Sequence, residues 1–510
     1  MLKRAFFMAS GTLTSRILGL FRDMALAALF DRAITDAWTA AFRLPNLFRR
    51  LFGEGSLSVS FIPVFMEAKS EDASGVRAQN LINALYTVLL IFLGSLTVLG
   101  IIFMEQVLGV LLTSQYMADT ERWLLTVRMA RLMFGFVYFV CSYAYFMGIL
   151  NALGSFGLPA VAPALLNISM LVFTFMPPSW FAQAGDGLAW GVLVGGVLQS
   201  LVLWLALKAR GYLPRLQFAF KNSDLKKVLV NMVPGLLGMG LLQLTTLVNL
   251  HFASALGQGA ISYIYWADRL LELPLSLVSI SLGAALLPTL SDLYIRKEHS
   301  YFADTLQKNF LFTFFLAWPA ALGLFFLSQP IVEVLFKRGA FSDGDARATA
   351  IVLQVYALNL LFVSGVRIIA PAFYAVKNTW LPAVAAVLSL VLHIAWAPWW
   401  ISRAGLQGLV VSSLCAVIVQ FVVMMLAMHF MVTKIKWLQT SAELGKMFLA
   451  GCALVGAVQI YAVLEKAGVP SQLVNLALAI LLGAGAYTVV ALGLRLEQAR
   501  LLWAALRRKF

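Results

Sequence analysis

Charged side chains inside apolar segments are the residues of this sequence best suited to chemistry. A charge near the centre of a bilayer costs on the order of 3 kcal/mol on insertion scales, so it usually faces a cavity or a charged partner. Two neighbouring apolar segments near the N-terminus hold five arginines but only three acids. Arginine's planar fork matches phosphate oxygens, so the excess predicts a site for a phosphate-bearing anion. These residues are Arg16, Arg22, Asp23, Asp36, Arg43, Arg49, Arg50 and Glu54.

A second charged set, Asp268, Arg269 and Glu272, lies in an apolar segment further along the chain. The second N-terminal segment is interrupted by a proline and two glycines, which lipid-spanning helices tolerate beside a cavity or other protein. A simpler alternative is that Arg50 with Glu54, and Arg269 with Glu272, form helix-spaced ion pairs that only tie helices together.

The composition is that of a membrane protein. Of 510 residues, 61% are hydrophobic and 12% charged, and the mean hydropathy is +0.87, whereas soluble domains have about 25% charged residues. Hydropathy predicts about fourteen membrane-spanning helices. Their approximate limits are 6–30, 34–66, 78–111, 123–150, 158–178, 187–208, 226–254, 259–293, 302–336, 347–376, 380–400, 405–432, 445–464 and 472–494.

The net charge of +15 reflects topology rather than a nucleic-acid partner. With the N-terminus inside, lysines and arginines favour the inside loops by about three to one, which predicts that both termini are cytoplasmic. The first apolar stretch has no cleavage site after it, so it is expected to remain as a helix. The basic tail after Leu494 suits either a topological anchor or a helix on an anionic membrane surface.

Segments about 225 residues apart resemble each other, which indicates an internal duplication. The run LPAVA at 158–162 returns at 381–385, and an arginine-to-proline spacing at 43–63 returns at 269–288. An even number of helices in each copy makes the copies parallel. We therefore predict an N-terminal six-helix lobe at 1–215, a C-terminal six-helix lobe at 222–435, and two extra helices with the basic tail at 440–510. Such lobes are typical of transporters that hold the substrate between them.

Other chemistry is poorly supported by the sequence. The three cysteines and four histidines are scattered, with no metal-ligand spacing, so no metal or cofactor is predicted. No serine with a histidine base and no paired aspartate motif stands out, so an enzyme is not predicted.

Several motifs resemble the MurJ (MviN) family of lipid II flippases, within the multidrug, oligosaccharidyl-lipid and polysaccharide exporter superfamily. The similarity covers essentially the whole chain. The motifs are SRILGLFRD at 15–23, TDA at 35–37, LPNLFRRLFGEG at 44–55, APALLNI at 162–168 and YWADRLLELP at 265–274.

The resemblance implies two six-helix lobes around a central cationic cavity, with the lipid tail in a groove between the last two helices and the second lobe. It implicates positions matching Arg16, Arg22, Arg49 and Arg269, and acids matching Asp36 and Glu54. We expect one cavity, with head-group contacts from Arg16, Arg22, Arg49, Arg50 and Arg269. Gating or cavity roles are expected for Asp23, Asp36, Glu54, Asp268 and Glu272. Asp36 and Glu54 are expected to pair with the head-group arginines when the cavity is empty.

The sequence departs from some family members at a sodium site. Their seventh and eleventh helices carry acids, whereas these helices offer Asn231, Asn249 and His393. Sodium coupling is therefore not predicted for this chain.

The function implied is alternating-access transfer of lipid II, the undecaprenyl-pyrophosphate-linked disaccharide pentapeptide, to the periplasmic leaflet for peptidoglycan synthesis. Its location would be the bacterial inner membrane, with membrane lipids and the cell-wall synthesis machinery as further candidate partners. The alternatives are another exporter of the superfamily, for a polysaccharide lipid or a drug, and a membrane-embedded transferase. A drug exporter should prefer acids in its cavity, which the arginine excess disfavours.

Overall fold

The computed structural model describes residues 2–52, 57–72, 74–276, 281–466 and 471–507. Within these ranges it describes all side chains except those of residues 2–13, 58, 59, 237–239, 241, 242, 281, 284, 285 and 505–507. Every regular element in the described ranges is helical. The prediction of an all-helical polytopic membrane protein is confirmed.

The N-terminal half of the chain contains eleven α-helices in its described residues. They are α1 (Leu2–Leu29), α2 (Arg32–Leu51), α3 (Leu57–Glu71), α4 (Val76–Ile102), α5 (Met104–Leu111), α6 (Ser114–Met117), α7 (Thr120–Ala152), α8 (Gly157–Val161), α9 (Pro163–Thr174), α10 (Asp186–Ala209) and α11 (Ser223–Ser254).

The C-terminal half continues with ten further α-helices in its described residues. They are α12 (Ala260–Leu275), α13 (Ser281–Ile295), α14 (His299–Phe326), α15 (Ser328–Phe336), α16 (Asp343–Ala375), α17 (Trp380–Ala427), α18 (Trp437–Val458), α19 (Ile460–Lys466), α20 (Gln472–Gly493) and α21 (Glu497–Arg507).

Nine helical segments of the described residues are long and apolar enough to cross a membrane, so the count of fourteen is not confirmed. The predicted spans at 34–66 and 259–293 each fall on two shorter helices, α2 with α3 and α12 with α13. The predicted spans at 380–400 and 405–432 correspond to two helices that meet at a kink, and α17 includes both as far as Ala427.

The kink in α17 lies at Gly405, whose φ of 53° and ψ of −127° are not helical. Positive φ is a conformation that glycine adopts without a steric penalty. Just beyond it, a Cβ on Gly408 would lie 2.0 Å from the carbonyl oxygen of Trp400. Glycine at both positions therefore allows the kink and the close backbone approach beside it.

Several helices begin where the sequence supplies a capping side chain. Asn222 accepts hydrogen bonds from the amides of Asp224 and Leu225 at the start of α11, and Ser342 forms a capping box with Asp345 at the start of α16. Such caps satisfy backbone donors that have no partner in the first turn of a helix.

The chain divides into two compact units. Unit 1 comprises Met1–Ser262 with Arg338–Ala340, and unit 2 comprises Tyr263–Lys337 with Phe341–Phe510. The boundary falls inside α12 and does not follow the lobes inferred from the duplication. The lobes were inferred from an internal sequence repeat, whereas the units are defined by packing. The division into units therefore does not test the lobes, and they stay a prediction.

Unit 1 is organised around α7, which packs against α2, α4 and α10. Its core includes the fully buried rings of Trp38, Phe136 and Tyr145. The Tyr145 hydroxyl donates to the carbonyl oxygen of Ile82 at 2.7 Å. A buried hydroxyl needs such a partner, so this bond fixes α4 beside α7.

Unit 2 contains the two extra C-terminal helices, α18 and α20, which pack on each other and on α14. Small residues allow this close approach. A Cβ on Gly451 would lie 2.3 Å from Nε1 of Trp318, and one on Gly483 would lie 2.7 Å from the Val458 side chain. A Cβ on Gly456 would meet no atom within 4 Å.

Candidate functional site

Arg22 and Asp23 form a buried pair on α1, with side chains only 2% and 1% exposed. The Nε and Nη2 atoms of Arg22 donate to Oδ1 of Asp23 at 3.0 and 2.6 Å, and Nη1 donates to Oδ1 of Asn167 at 3.0 Å. A buried ion pair is tolerated only when further hydrogen bonds offset the lost hydration. The guanidinium fork supplies them.

Asn167 on α9 completes this cluster and was not among the expected site residues. While its oxygen accepts from Arg22, its Nδ2 donates to the carbonyl oxygen of Ser15 at 2.9 Å. One amide thus bridges two turns of α1. The sequence did offer one indication of this role, since Asn167 is the one side-chain amide in the apolar sequence of α9 and a buried amide requires hydrogen-bond partners.

Asp36 is fully buried and binds the start of α12. Its Oδ2 accepts from the amide of Gly259 at 2.6 Å, while Oδ1 accepts from the amide of Ser262 at 2.9 Å and from its hydroxyl at 2.7 Å. The first amides of a helix lack intrahelical partners and carry partial positive charge, so a carboxylate is favoured there. Gly259, with φ of 92°, permits the turn.

Arg122 is the cation nearest to this carboxylate, and it lies just before the predicted span at 123–150. Its Nη1 lies 3.8 Å from Oδ2 of Asp36, and its guanidinium carbon lies 4.1 Å from the centre of the Tyr116 ring. Only 7% of its side chain is exposed. Asp36 was expected to pair with the arginines of the head-group set. Its described contacts are instead with Arg122 and the first turn of α12.

The remaining predicted head-group arginines of unit 1 lie on α1 and in the last turn of α2. Arg16 is exposed, whereas Arg49 and Arg50 are partly buried. Arg49 donates from Nε to Oδ1 of Asn46 at 2.9 Å. Basic residues in a last helical turn also suit the helix dipole, so this placement alone is not specific for a ligand. The expected partner of Arg50, Glu54, lies outside the described residues.

In unit 2, Arg269 sits on α12 with Asp268 partly buried beside it. Nη1 of Arg269 lies 3.2 Å from Oε2 of Glu272, and its guanidinium carbon lies 5.4 Å from the centre of the Tyr265 ring. Because the Arg269 and Glu272 side chains are 32% and 41% exposed, the pair contributes little stability. The helix-spaced ion pair that the sequence suggested is present here.

The structure thus joins Arg22 with Asp23, and Arg269 with Glu272, and places Asp36 in a separate cluster of unit 1. Asn167, Arg122 and Ser262 are the partners that sequence reasoning missed. The five predicted head-group arginines are divided between the two units, with four in unit 1 and Arg269 in unit 2. That they share a single cavity stays a prediction.

Comparison with known proteins decides the family. A family model described as lipid II flippase MurJ matches residues 26–484. The chain belongs to the lipid II flippase MurJ family. A probable lipid II flippase MurJ of Bdellovibrio bacteriovorus is 58% identical over 498 residues, covering 98% of this chain and 95% of that protein. The lipid II flippase MurJ of Burkholderia cenocepacia is 36% identical over 395 residues, covering 76% of each chain.

Solved structures support the fold of this MurJ-family chain. A lipid II flippase MurJ in an inward closed conformation matches with a TM-score of 0.79 and 24% identity, covering 96% of this chain and 99% of that one. An inward-facing multidrug resistance MATE transporter of the MOP superfamily matches with a TM-score of 0.66 and 15% identity, covering 86% and 98%. Both likenesses concern the fold. The family and the nine apolar helical segments together make the chain a multi-pass membrane protein.

Proposed function

We propose that the chain carries lipid II from the cytoplasmic to the periplasmic leaflet of a bacterial inner membrane, supplying peptidoglycan synthesis. The observation that carries this proposal is membership in the lipid II flippase MurJ family over residues 26–484. The name of the Bdellovibrio relative, 58% identical over nearly the whole chain, agrees with it. Within this proposal the chain acts as a transporter and not as a catalyst, and both its termini are cytoplasmic.

The chemical problem in this transport is the pyrophosphate. Its charges lose hydration inside the membrane, and charge-assisted hydrogen bonds from arginine can replace that hydration. In our proposal, Arg16, Arg49 and Arg50 of unit 1 and Arg269 of unit 2 contact the head group. Arg16 is exposed and the other three side chains are only partly buried, which supports that role.

Arg22 has a different part in the proposal. It is buried against Asp23 and Asn167, so in this arrangement it orders α1 against α9. It becomes a head-group ligand only in an arrangement that separates it from these partners. A substrate that binds one arrangement better shifts the population toward it.

In our proposal, Asp36 connects α2 to the start of α12 and releases it during transport. Three hydrogen bonds to Gly259 and Ser262 hold α2 against the first turn of α12. Alternating access would then require these bonds to break and re-form in each cycle, which gives the gating role expected for Asp36 a physical basis.

The decisive experiment is depletion of the protein in growing cells, followed by measurement of lipid II on each leaflet of the inner membrane. We expect lipid II to accumulate on the cytoplasmic leaflet. Purified protein in liposomes should move lipid II to the opposite leaflet, and an Arg49→Ala, Arg50→Ala double variant should move less at equal protein level. Unchanged leaflet distribution after depletion would refute the proposal.

A further inference from the structure

The 212–222 segment, which joins α10 to α11 without forming a helix, exposes a row of large apolar side chains. Leu216, Phe218 and Phe220 are 59%, 72% and 59% exposed. They alternate along the chain with Gln217 and Ala219, which are partly buried. The phenyl rings of Phe218 and Phe220 also contact each other, with centroids 6.1 Å apart.

The opposite side of the segment is held by polar side chains from one face of α4. Asn83 Oδ1 accepts from the amide of Arg215 at 2.9 Å, and Thr87 Oγ1 accepts from the amide of Gln217 at 2.8 Å. Gln79 Nε2 donates to the carbonyl oxygen of Leu213 at 3.0 Å. These three α4 residues are four apart, so they form a ladder along one helix face.

This ladder extends from the charged start of α4 toward its apolar part, which begins after Thr87. From Gln79 to Thr87 the helix rises about 12 Å, and α4 carries no charged residue after Arg77. Phe92, five residues beyond Thr87, is 54% exposed, as expected of a lipid-facing side chain. Non-helical backbone is tolerated at membrane depth only where the protein satisfies its polar groups. The α4 ladder does this for the side facing the protein.

The charge around the segment fits an anionic membrane surface. Arg210, Arg215, Lys221 and Lys226 are exposed, and the sequence contains no acid between Asp186 and Asp224. By the distribution of lysine and arginine, this segment is on the predicted cytoplasmic side. Aromatic side chains with flanking cations are typical of segments that lie at a bilayer surface rich in anionic lipid.

We propose that the 212–222 segment is a membrane anchor, which inserts Leu216, Phe218 and Phe220 into the cytoplasmic leaflet and places Arg215 and Lys221 on anionic phospholipid head groups. Satisfied backbone groups face the protein and apolar side chains face outward, an arrangement suited to hydrocarbon and unfavourable in water. The anchor is independent of the proposed transport, because it needs no contact with lipid II.

The test uses spin labels on the full-length chain in nanodiscs. The three native cysteines are first replaced, and single cysteines are introduced by Phe218→Cys, Ser74→Cys and Phe92→Cys. Ser74 is exposed in the connection between α3 and α4, and Phe92 lies on the apolar part of α4. In phosphatidylglycerol nanodiscs, collision with a water-soluble nickel relaxant should be several-fold lower at position 218 than at position 74. Collision with oxygen should approach that at position 92.

The charge requirement is tested with Arg215→Gln, Lys221→Gln in the Phe218→Cys background. We expect the label to sit deeper in phosphatidylglycerol than in phosphatidylcholine nanodiscs, and the double variant to lose that difference. Relaxant accessibility at position 218 equal to that at position 74 would overturn the anchor. Protection that appears only in native membranes would also overturn it and indicate a protein partner. A depth independent of lipid charge would refute the anionic-lipid contact.

Discussion

At the scale of single residues, Arg22 shows why charge alone does not define this site. Its three nitrogens serve two acceptors on different residues, Asp23 and Asn167. Lysine offers one nitrogen on a flexible stem and does not reproduce that fork. The buried Asn167 oxygen would then be left without its donor, at a cost of about 1–3 kcal/mol.

We therefore expect Arg22→Lys to impair growth in a complementation assay at normal protein level, and to lower the melting temperature of the purified protein. Arg16→Lys, at an exposed position on the same helix, is the matched control and should leave the melting temperature unchanged. If Arg22→Lys is fully functional and equally stable, the fork is not required.

The Asp36 cluster supports a second prediction at this scale. In Asp36→Asn one acceptor becomes a donor that faces another donor, either the amide of Gly259 or that of Ser262. Ser262→Ala removes only the hydroxyl and leaves both amide bonds possible. We expect Asp36→Asn to abolish complementation and Ser262→Ala to reduce it mildly, in keeping with about 1 kcal/mol for one hydrogen bond.

Hydrogen exchange measures the predicted structural effect of these two variants directly. Amides of residues 259–263 should exchange faster in Asp36→Asn than in Ser262→Ala. Equal protection in the two variants would show that Asp36 does not hold the first turn of α12.

At the scale of helices, the start of α11 is attached to α4 by an ion pair outside the predicted spans. Arg77 donates from Nε and Nη2 to the two carboxylate oxygens of Asp224 at 2.7 and 2.9 Å. These bonds lower the pKa of Asp224 from its usual 3.8. A carboxyl with a lowered pKa in the folded state stabilises the fold above its unfolded pKa, and this contribution is lost as pH falls through the folded value.

We predict that amide protection in the first turn of α11 is constant from neutral pH down to about 4 and falls at lower pH. Hydrogen exchange of residues 224–228, corrected for the intrinsic pH dependence of exchange, measures this. Arg77→Gln should lower protection at neutral pH and flatten the acid transition. A transition of the same size in Arg77→Gln would assign it to other carboxyl groups.

The two C-terminal helices support a prediction about the proposed tail groove. Gly456 on α18 is exposed and has open space at its Cβ position, whereas Gly451 contacts Trp318 on α14. A prenyl tail loses about 0.8 kcal/mol for each methylene moved from hydrocarbon to a polar environment. We expect Gly456→Gln to lower lipid II transport in liposomes while membrane insertion is normal. Gly451→Leu should instead lower thermal stability, and normal transport by a well-inserted Gly456→Gln would refute the groove at this position.

At the scale of the whole molecule, the distribution of positive charge predicts the topology. Cytoplasmic loops of membrane proteins are enriched in lysine and arginine, and here the inside set exceeds the outside set by about three to one. We expect green fluorescent protein fused after Phe510 to fluoresce, and alkaline phosphatase fused there to be inactive. Alkaline phosphatase fused after Arg403, in a predicted outside loop, should be active. The reverse pattern would invert the proposed direction of transport.

The sequence by itself determined the membrane class, the helical fold and the family of this chain. Long apolar segments predict helices, because a helix satisfies its own backbone hydrogen bonds in lipid. Motifs such as SRILGLFRD are contiguous in the sequence, so the family can be recognised without a structure. Sequence also identified the charged residues that need a partner, because burying a charge alone is costly.

Only the tertiary structure decided which partner each of those residues has. Asn167 is 145 positions from Arg22, and Ser262 is 226 positions from Asp36. No helical periodicity relates residues so far apart. The 212–222 segment likewise reads as an ordinary basic loop, until its amides are found on Asn83 and Thr87 of α4. Hydrogen bonds are directional and short, so the packing of distant helices, and not the local order of residues, determines where they form.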